Sequence, residues 1–464
     1  MNAPLDTAIA VDVYRQRRER VLAALRAAGG GVAIVPTAPE MLRNRDTAFP
    51  YRHDSYFHYL TGFTEPDAVL VLNASGHGAP ESILFCRAKN ADREIWEGFH
   101  YGPEAARDAF GFDTAYAVDV IDTEMPRLLA DAGTVHYRFG ASAEFDRQLA
   151  GWIDAVRAQA RAGVAAPDAM LDLTPLLDDM RLVKDEHELA IMMRAAHISA
   201  LAHRRAMQAC RPGIREYELE AELLYTFRKH GAQAPAYGSI VAAGANACVL
   251  HYPAGNAAAQ DGDLILIDAA CELDGYASDI TRTFPANGRF SPAQRTLYDI
   301  VLAAQQAAID ATRAGVPFEV PHDAAVRVLA QGLLDTGIIP KTRFSSVDDV
   351  IAERAYARFY MHRTGHWMGM DVHDCGDYRE RLAERDANGA LPWRTLKPGM
   401  TLTVEPGLYV RAADDVPSEY WNIGIRIEDD AIVREHGCEL ITRDVPVAAA
   451  EIEALMRAGA AHAA

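Results

Sequence analysis

No stretch of the 464 residues approaches the ~18 consecutive apolar residues that a membrane-spanning helix requires. Met1 to Arg20 lacks the apolar centre of a secretory signal. Cysteine is sparse. Cys86, Cys210, Cys248, Cys271, Cys375 and Cys438 are scattered with no CxxC pair, which excludes a thiolate zinc site and a disulfide framework and predicts reduced thiols. Basic charge is short as well: 46 Lys and Arg face 65 Asp and Glu, a formal net charge of −19. A general nucleic-acid binder needs the opposite balance, because cations must displace counterions from phosphate. No GxGxxG or GxxxxGK follows any strand-like run; the triple glycine Gly29-Gly30-Gly31 precedes a strand and reads as a plain loop. The expectation is a cytoplasmic protein that binds neither membrane nor nucleic acid.

What is present is enough apolar residue, 50% against 24% charged, to bury a sizeable core. At ~150 residues per domain, the length predicts two or three domains. The first third alternates an amphipathic helix, Val11 to Ala28, with apolar strands at Val32 to Val35, Ala68 to Leu72 and Ser82 to Cys86. Near Asp172 to Asp185 the pattern changes. Asp185 with Glu188 resembles a capping box opening a long helix to Met207, and a second helix runs from Arg215 to His230. A third begins at Ser291-Pro292 and ends near Gly315, and a fourth runs from His322 to Asp335. Strand-like runs lie at Leu264 to Asp268, Asp279 to Phe284, Thr401 to Glu405 and Gly424 to Asp430. The division expected is an α/β N-terminal domain, residues 1–180, and an α+β domain, residues 181–464, with helices around an antiparallel sheet.

The second part contains an internal repeat. Gly262 is followed six residues later by Asp268, and Gly399 six residues later by Glu405, each acid closing an apolar strand. Each has an acidic partner on a later strand, Asp279 and Glu428. Two facing half-domains bring four carboxylates to one centre. Like charges repel and are costly to desolvate, so such a centre requires cations. Carboxylates with a single imidazole suit Mn²⁺, with Co²⁺ or Zn²⁺ as alternatives. Two such ions ~3.5–4 Å apart activate water and clamp a carbonyl oxygen. The imidazole comes from the run holding His362, His366 and His373, which lacks the glutamate of HExxH. Cys271, three residues past Asp268, reads as an inert thiol.

Asp268, Asp279, His366, Glu405 and Glu428 stand in the order Asp-Asp-His-Glu-Glu of the pita-bread metallopeptidases. With Phe49-Pro50-Tyr51-Arg52, Tyr59-Leu60-Thr61-Gly62-Phe63, Met180-Arg181-Leu182-Val183-Lys184, Leu250-His251-Tyr252 and Thr403-Val404-Glu405-Pro406-Gly407-Leu408-Tyr409, the chain resembles the Xaa-Pro aminopeptidase (aminopeptidase P) family over nearly its whole length. The resemblance implies a pita-bread catalytic domain with pseudo-two-fold repeat behind an N-terminal domain that shapes access and oligomer contacts. It implies two divalent metal ions, bridged by Asp279 and Glu428, with Asp268 on one ion and His366 and Glu405 on the other. Glu405 would also act as acid and base. His251, His362 and His373 would position the peptide, polarise its carbonyl and move protons, with Arg426 and Tyr237 lining the site. The implied reaction releases the N-terminal residue ahead of proline, in a homotetramer or homodimer. Two departures stand out: Arg363 where the family has glycine, and a longer connection at residues 379–395. The alternatives are a proline dipeptidase, restricted to Xaa-Pro dipeptides, and a metal-free binding protein on the same fold.

Overall fold

The computed structural model describes residues 9–76 and 81–463, and the chain divides into two units between Arg181 and Leu182. The first eight residues, part of the leading segment read above, lie outside the described residues. In the first unit a six-stranded sheet runs in the order Thr114–Ala117, Ser82–Cys86, Val69–Asn73, Val32–Pro36, Thr134–Tyr137, Ala169–Leu171. Its centre is mixed: Val32–Pro36 pairs antiparallel with Val69–Asn73 and parallel with Thr134–Tyr137. One face buries Ile34, Val71, Phe85 and Val135 against Leu149, Trp152, Ile153 and Val156 of the helix Ala143–Arg157. The apolar positions of that helix recur at helical spacing, and Ser142 caps its start by accepting from the Phe145 amide.

The second unit opens on the capping box: Asp185 Oδ1 accepts from the Glu188 amide and Glu188 Oε2 from the Asp185 amide, both at 3.0 Å. That helix spans Glu186–Ala209, and Glu216–Lys229, Pro292–Ala311 and Val320–Asp335 follow. The third stops at Ala311, short of Gly315, because the Thr312 hydroxyl turns back to the Ala308 carbonyl and residues 314–315 pair instead with Arg434 and Leu396. Among the described residues the strands of this unit form three three-stranded antiparallel sheets and one two-stranded sheet, and two of the three-stranded sheets carry the matched strands. One orders Thr281–Pro285, Leu264–Asp268, Ile240–Ala243; the other orders Thr401–Val404, Asp429–Arg434, Gly437–Leu440. The repeat is visible in the backbone, since Gly262 and Gly399 both hold positive φ, 91° and 86°, at the turn before the matched strands.

The run Gly424 to Asp430 is not one strand. Ile423–Arg426 pairs with Gly407–Val410, whereas Asp429–Arg434 pairs with Thr401–Val404. Between them the chain changes partners: the Glu428 amide donates to the Thr281 carbonyl at 3.1 Å. The apolar alternation stops at Ile427 and gives way to Glu428-Asp429-Asp430, which marks a break in the run but not which strand each part pairs with. All six cysteines are free thiols, and burial pushes that of Cys271 up to about 11.

Candidate metal centre

Each acid is delivered by backbone pairing. Asp268 ends its strand opposite Thr281 on one side and Ile240 on the other. Asp279 precedes the strand Thr281–Pro285, and its amide donates to Asp430 Oδ2 at 2.9 Å. The segment carrying His366 runs against Thr401–Val404: Met368 donates to the Thr401 carbonyl, Thr403 to the His366 carbonyl at 3.0 Å, and Glu405 to the Thr364 carbonyl at 2.8 Å. His366 Nε2 therefore stands 3.5 Å from both Glu405 Oε1 and Asp279 Oδ2. Glu428 enters at the partner change and accepts from the Thr281 hydroxyl at 2.6 Å. One ligand atom from each of Asp279, His366 and Glu428 falls within 4.8 Å of the others.

The ten residues singled out from the sequence, Tyr237, His251, Asp268, Asp279, His362, His366, His373, Glu405, Arg426 and Glu428, all line one cavity of about 970 Å³. The Tyr237 hydroxyl lies 2.6 Å from Asp268 Oδ1 and also touches Asp279 Oδ1. Arg426 donates to Asp268 Oδ2 and to the Tyr409 hydroxyl. His362 Nδ1 donates to its neighbour's carbonyl at 2.7 Å, which leaves Nε2 to accept from the Tyr409 hydroxyl at 2.8 Å. The His373 ring is 4.1 Å from that of His366. Arg363 and the Arg379–Trp393 pair, from the two departures noted above, also line the cavity, with Arg379 stacked 3.4 Å over the Trp393 ring.

The electrostatics are those of a cation site. Burial raises the pKa of Asp279, of Glu428 and of Glu405, the last to about 7. Burial opposes the charged form of His366, yet its hydrogen bond to Asp279 and the charge of Glu405 carry it up to about 9. His366 Nδ1 donates to the Trp367 carbonyl at 2.9 Å, so in the neutral ring the Nε2 lone pair points at the acids, as a ligating histidine requires. Burial pushes His362 down to about 3 and also lowers His373. A set of carboxylate oxygens and one imidazole nitrogen fits a hard or borderline divalent ion.

Three supporting residues were not singled out from the sequence. Thr281 holds Glu428, Asp430 holds the Asp279 amide, and Tyr409 joins Arg426 to His362. Tyr409 lies within the run Glu405 to Tyr409, but only the fold reveals where its hydroxyl goes.

Residues 190–435 match the model of metallopeptidase family M24, and residues 14–136 match that of the aminopeptidase P N-terminal domain. The chain belongs to metallopeptidase family M24. Within M24 it is 42% identical over 443 residues to the Xaa-Pro aminopeptidase of Escherichia coli, covering 96% of this chain and 97% of that one. The aminopeptidase PepP of Pseudomonas aeruginosa has a similar structure, with a TM-score of 0.93, 48% identity, and 98% and 100% of the two chains covered. Structures of E. coli aminopeptidase P with the inhibitor Pro-Leu, and zinc-substituted with product, each match with a TM-score of 0.91 at 41% identity, covering 98% and 97% of this chain and 99% of theirs. The pita-bread fold expected from the acid pattern is therefore present, and the M24 chain is a divalent-metal-dependent peptidase. Among its described residues no helix is long and apolar enough to cross a membrane.

Proposed function

We propose that this chain releases the N-terminal residue from peptides whose second residue is proline, and that it does so with two divalent metal ions. The observation that carries the reading is the convergence of all ten candidate residues on one cavity. Asp279 and Glu428 would be shared by both ions, Asp268 would hold one, and His366 with Glu405 the other. Manganese is the first choice by donor chemistry, with cobalt or zinc as alternatives. The ions, when bound, supply an acidified water and charge stabilisation for the carbonyl oxygen.

The chain's own residues do the rest. Glu405 accepts a proton from the attacking water and returns it to the prolyl nitrogen as the peptide bond breaks, so water adds across that bond. Tyr237 and Arg426 fix Asp268 from two sides. Arg426 and Tyr409 together hold His362, whose neutral ring offers a face to the proline. His251 and His373 line the cavity beside the metal-site residues, where they would orient and polarise the scissile carbonyl. Proline suits such a site because its tertiary amide has no N–H and its φ is fixed, so binding cannot depend on that donor.

The same reading assigns catalysis to residues 181–464, access and assembly to residues 1–180, a homotetramer or homodimer as the working form, and the cytoplasm as the compartment. Sedimentation analysis tests the assembly, and a monomer at micromolar concentration would overturn it. The activity is tested by supplying Mn²⁺ and comparing Xaa-Pro-Yaa tripeptides with Xaa-Pro dipeptides. Tripeptide cleavage is expected. Cleavage of dipeptides alone would make the chain a proline dipeptidase, and cleavage of neither with any of the three metals would favour a binding protein.

A further inference from the structure

Lys184 lies between the two matched spans, residues 14–136 and 190–435, and belongs to neither. Its ammonium is 2.9 Å from Asp374 Oδ2, and each side chain is only 1% exposed. Burying two ions costs several kcal/mol apiece in desolvation, so this pair is a poor device for stability alone.

Its location gives it another use. Asp374 directly follows His373, and its amide donates to the Trp367 carbonyl at 2.9 Å, one residue past His366. Between these ends the Gly369 amide donates to the Asp371 carbonyl at 3.1 Å, while the Gly369 carbonyl accepts from Ala277, two residues before Asp279. A side chain at Gly369 would collide with Asp374 Oδ2 and lie 2.8 Å from Lys184 Cε, so the turn wraps directly onto the ion pair. Lys184 is itself fixed, since its amide donates to the Gly399 carbonyl at 3.0 Å and Val183 bridges to Met400, at the turn that opens the strand leading to Glu405.

We propose that Lys184 is a positioning residue for the peptidase reaction: through Asp374 it closes the turn at residues 367–374 and so sets the His373 ring against the His366 ring. The role given to His373 rests on the proposed function; the closure of the turn does not. Without the ammonium, the tie from residue 184 to Asp374 Oδ2 is lost, and the turn that it closes opens.

The test combines kinetics with amide exchange on the full-length, metal-loaded protein. Lys184→Met is expected to lower kcat about 10- to 100-fold, the range for groups that orient active-site residues, with KM changed less than about two-fold and metal content unaltered. In a His373→Ala background the same substitution should cost little more, because both act through one ring. Amide exchange at residues 369–374 should accelerate while that of the strand Leu264–Asp268 stays the same. Lys184→Arg should recover part of the lost rate. If Lys184→Met folds poorly, Lys184→Met with Asp374→Asn removes the tie without leaving a buried charge, and the lower kcat and faster exchange in the turn are expected from the missing tie alone. Losses that multiply in the His373→Ala background, unchanged kcat, unchanged exchange in the turn, or failure of both variants to fold would each overturn the proposal. An unsubstituted protein that cleaves no Xaa-Pro peptide would overturn the proposed function instead, and the exchange measurement would still decide whether Lys184 closes the turn.

Discussion

Arg426 reaches from the end of its strand to Asp268, 158 residues earlier in the chain, while its Nη1 donates to the Tyr409 hydroxyl at 3.0 Å and its Nε to the Thr281 hydroxyl at 3.2 Å. The guanidinium is 5% exposed and the carboxylate 13%. Of the four acids at the centre, Asp268 therefore has a fixed counter-charge from the protein, while Asp279 and Glu405 share one histidine. A fork that holds an acid and a phenol at once cannot be reproduced by an ammonium. We expect Arg426→Lys to lower kcat about ten-fold and Arg426→Ala about 100-fold, within the range for groups that orient metal ligands. Steady-state kinetics on a tripeptide substrate checks this; wild-type rates from Arg426→Ala would remove the residue from the machinery.

Removing metal should loosen the catalytic unit as well as silence it. Burial already weighs against ionising Asp279, Glu405 and Glu428 together, so an ion that binds only the folded site stabilises it, by about 2.7 kcal/mol at 100 times its Kd. Chelation should lower the melting temperature, and Mn²⁺ should restore it. Asp279→Ala, which removes a ligand proposed to serve both ions, should abolish activity, retain less metal by elemental analysis and gain little from added Mn²⁺ in the same melting experiment.

The ion pair between Arg282 and Asp429, 2.8 Å apart, is completely buried. Arg282 also donates to the Glu428 carbonyl and to the Val445 carbonyl. Arg282→Met leaves Asp429, among the described residues, with the partly exposed Arg443 as its charged partner, and should cost about 3–5 kcal/mol in urea unfolding of the catalytic unit. A loss below about 1 kcal/mol would show that Arg443 and Gln305 suffice to hold Asp429.

A pH effect is expected from the first unit. His53 and His58 stack with ring centroids 3.8 Å apart. Burial holds His53 down at about 4 and His58 well below its usual value. Both are neutral in the fold, whereas the unfolded chain protonates them near pH 6.5. Their contribution to stability is complete above that pH and is lost as pH falls from about 6.5 toward 4, at up to about 1.4 kcal/mol per pH unit for each ring. Denaturant midpoints across pH 7 to 4.5 should show this slope, and His58→Gln should flatten it. An unchanged slope in that variant would place the acid sensitivity elsewhere.

Much of the catalytic site is legible before folding because its parts lie at strand ends, where an apolar run stops and an acid begins. Asp268 and Glu405 announce themselves in this way, and the capping residues Asp185, Ser291 and Gln294 mark helix starts by local chemistry that needs no tertiary partner. Glu428 is different. It stands where the chain leaves Gly407–Val410 for Thr401–Val404; the alternation lapses there at Glu428-Asp429-Asp430, but three successive acids do not say which strand lies on either side. Lys184 is hidden for a related reason, since its partner is 190 positions away.

By itself the sequence determined which atoms were available: four carboxylates and an imidazole in a fixed order, a chain with too little positive charge for nucleic acid, and thiols too dispersed for a metal cluster. Periodicity and capping are local, so they survive in one dimension. Tertiary structure alone decided which cation neutralises which acid. Arg426 took Asp268, Arg282 took Asp429 and Lys184 took Asp374. The sequence lists all these charges as equivalent, and the strength of an ion pair depends on burial and distance, neither of which exists until the chain has folded.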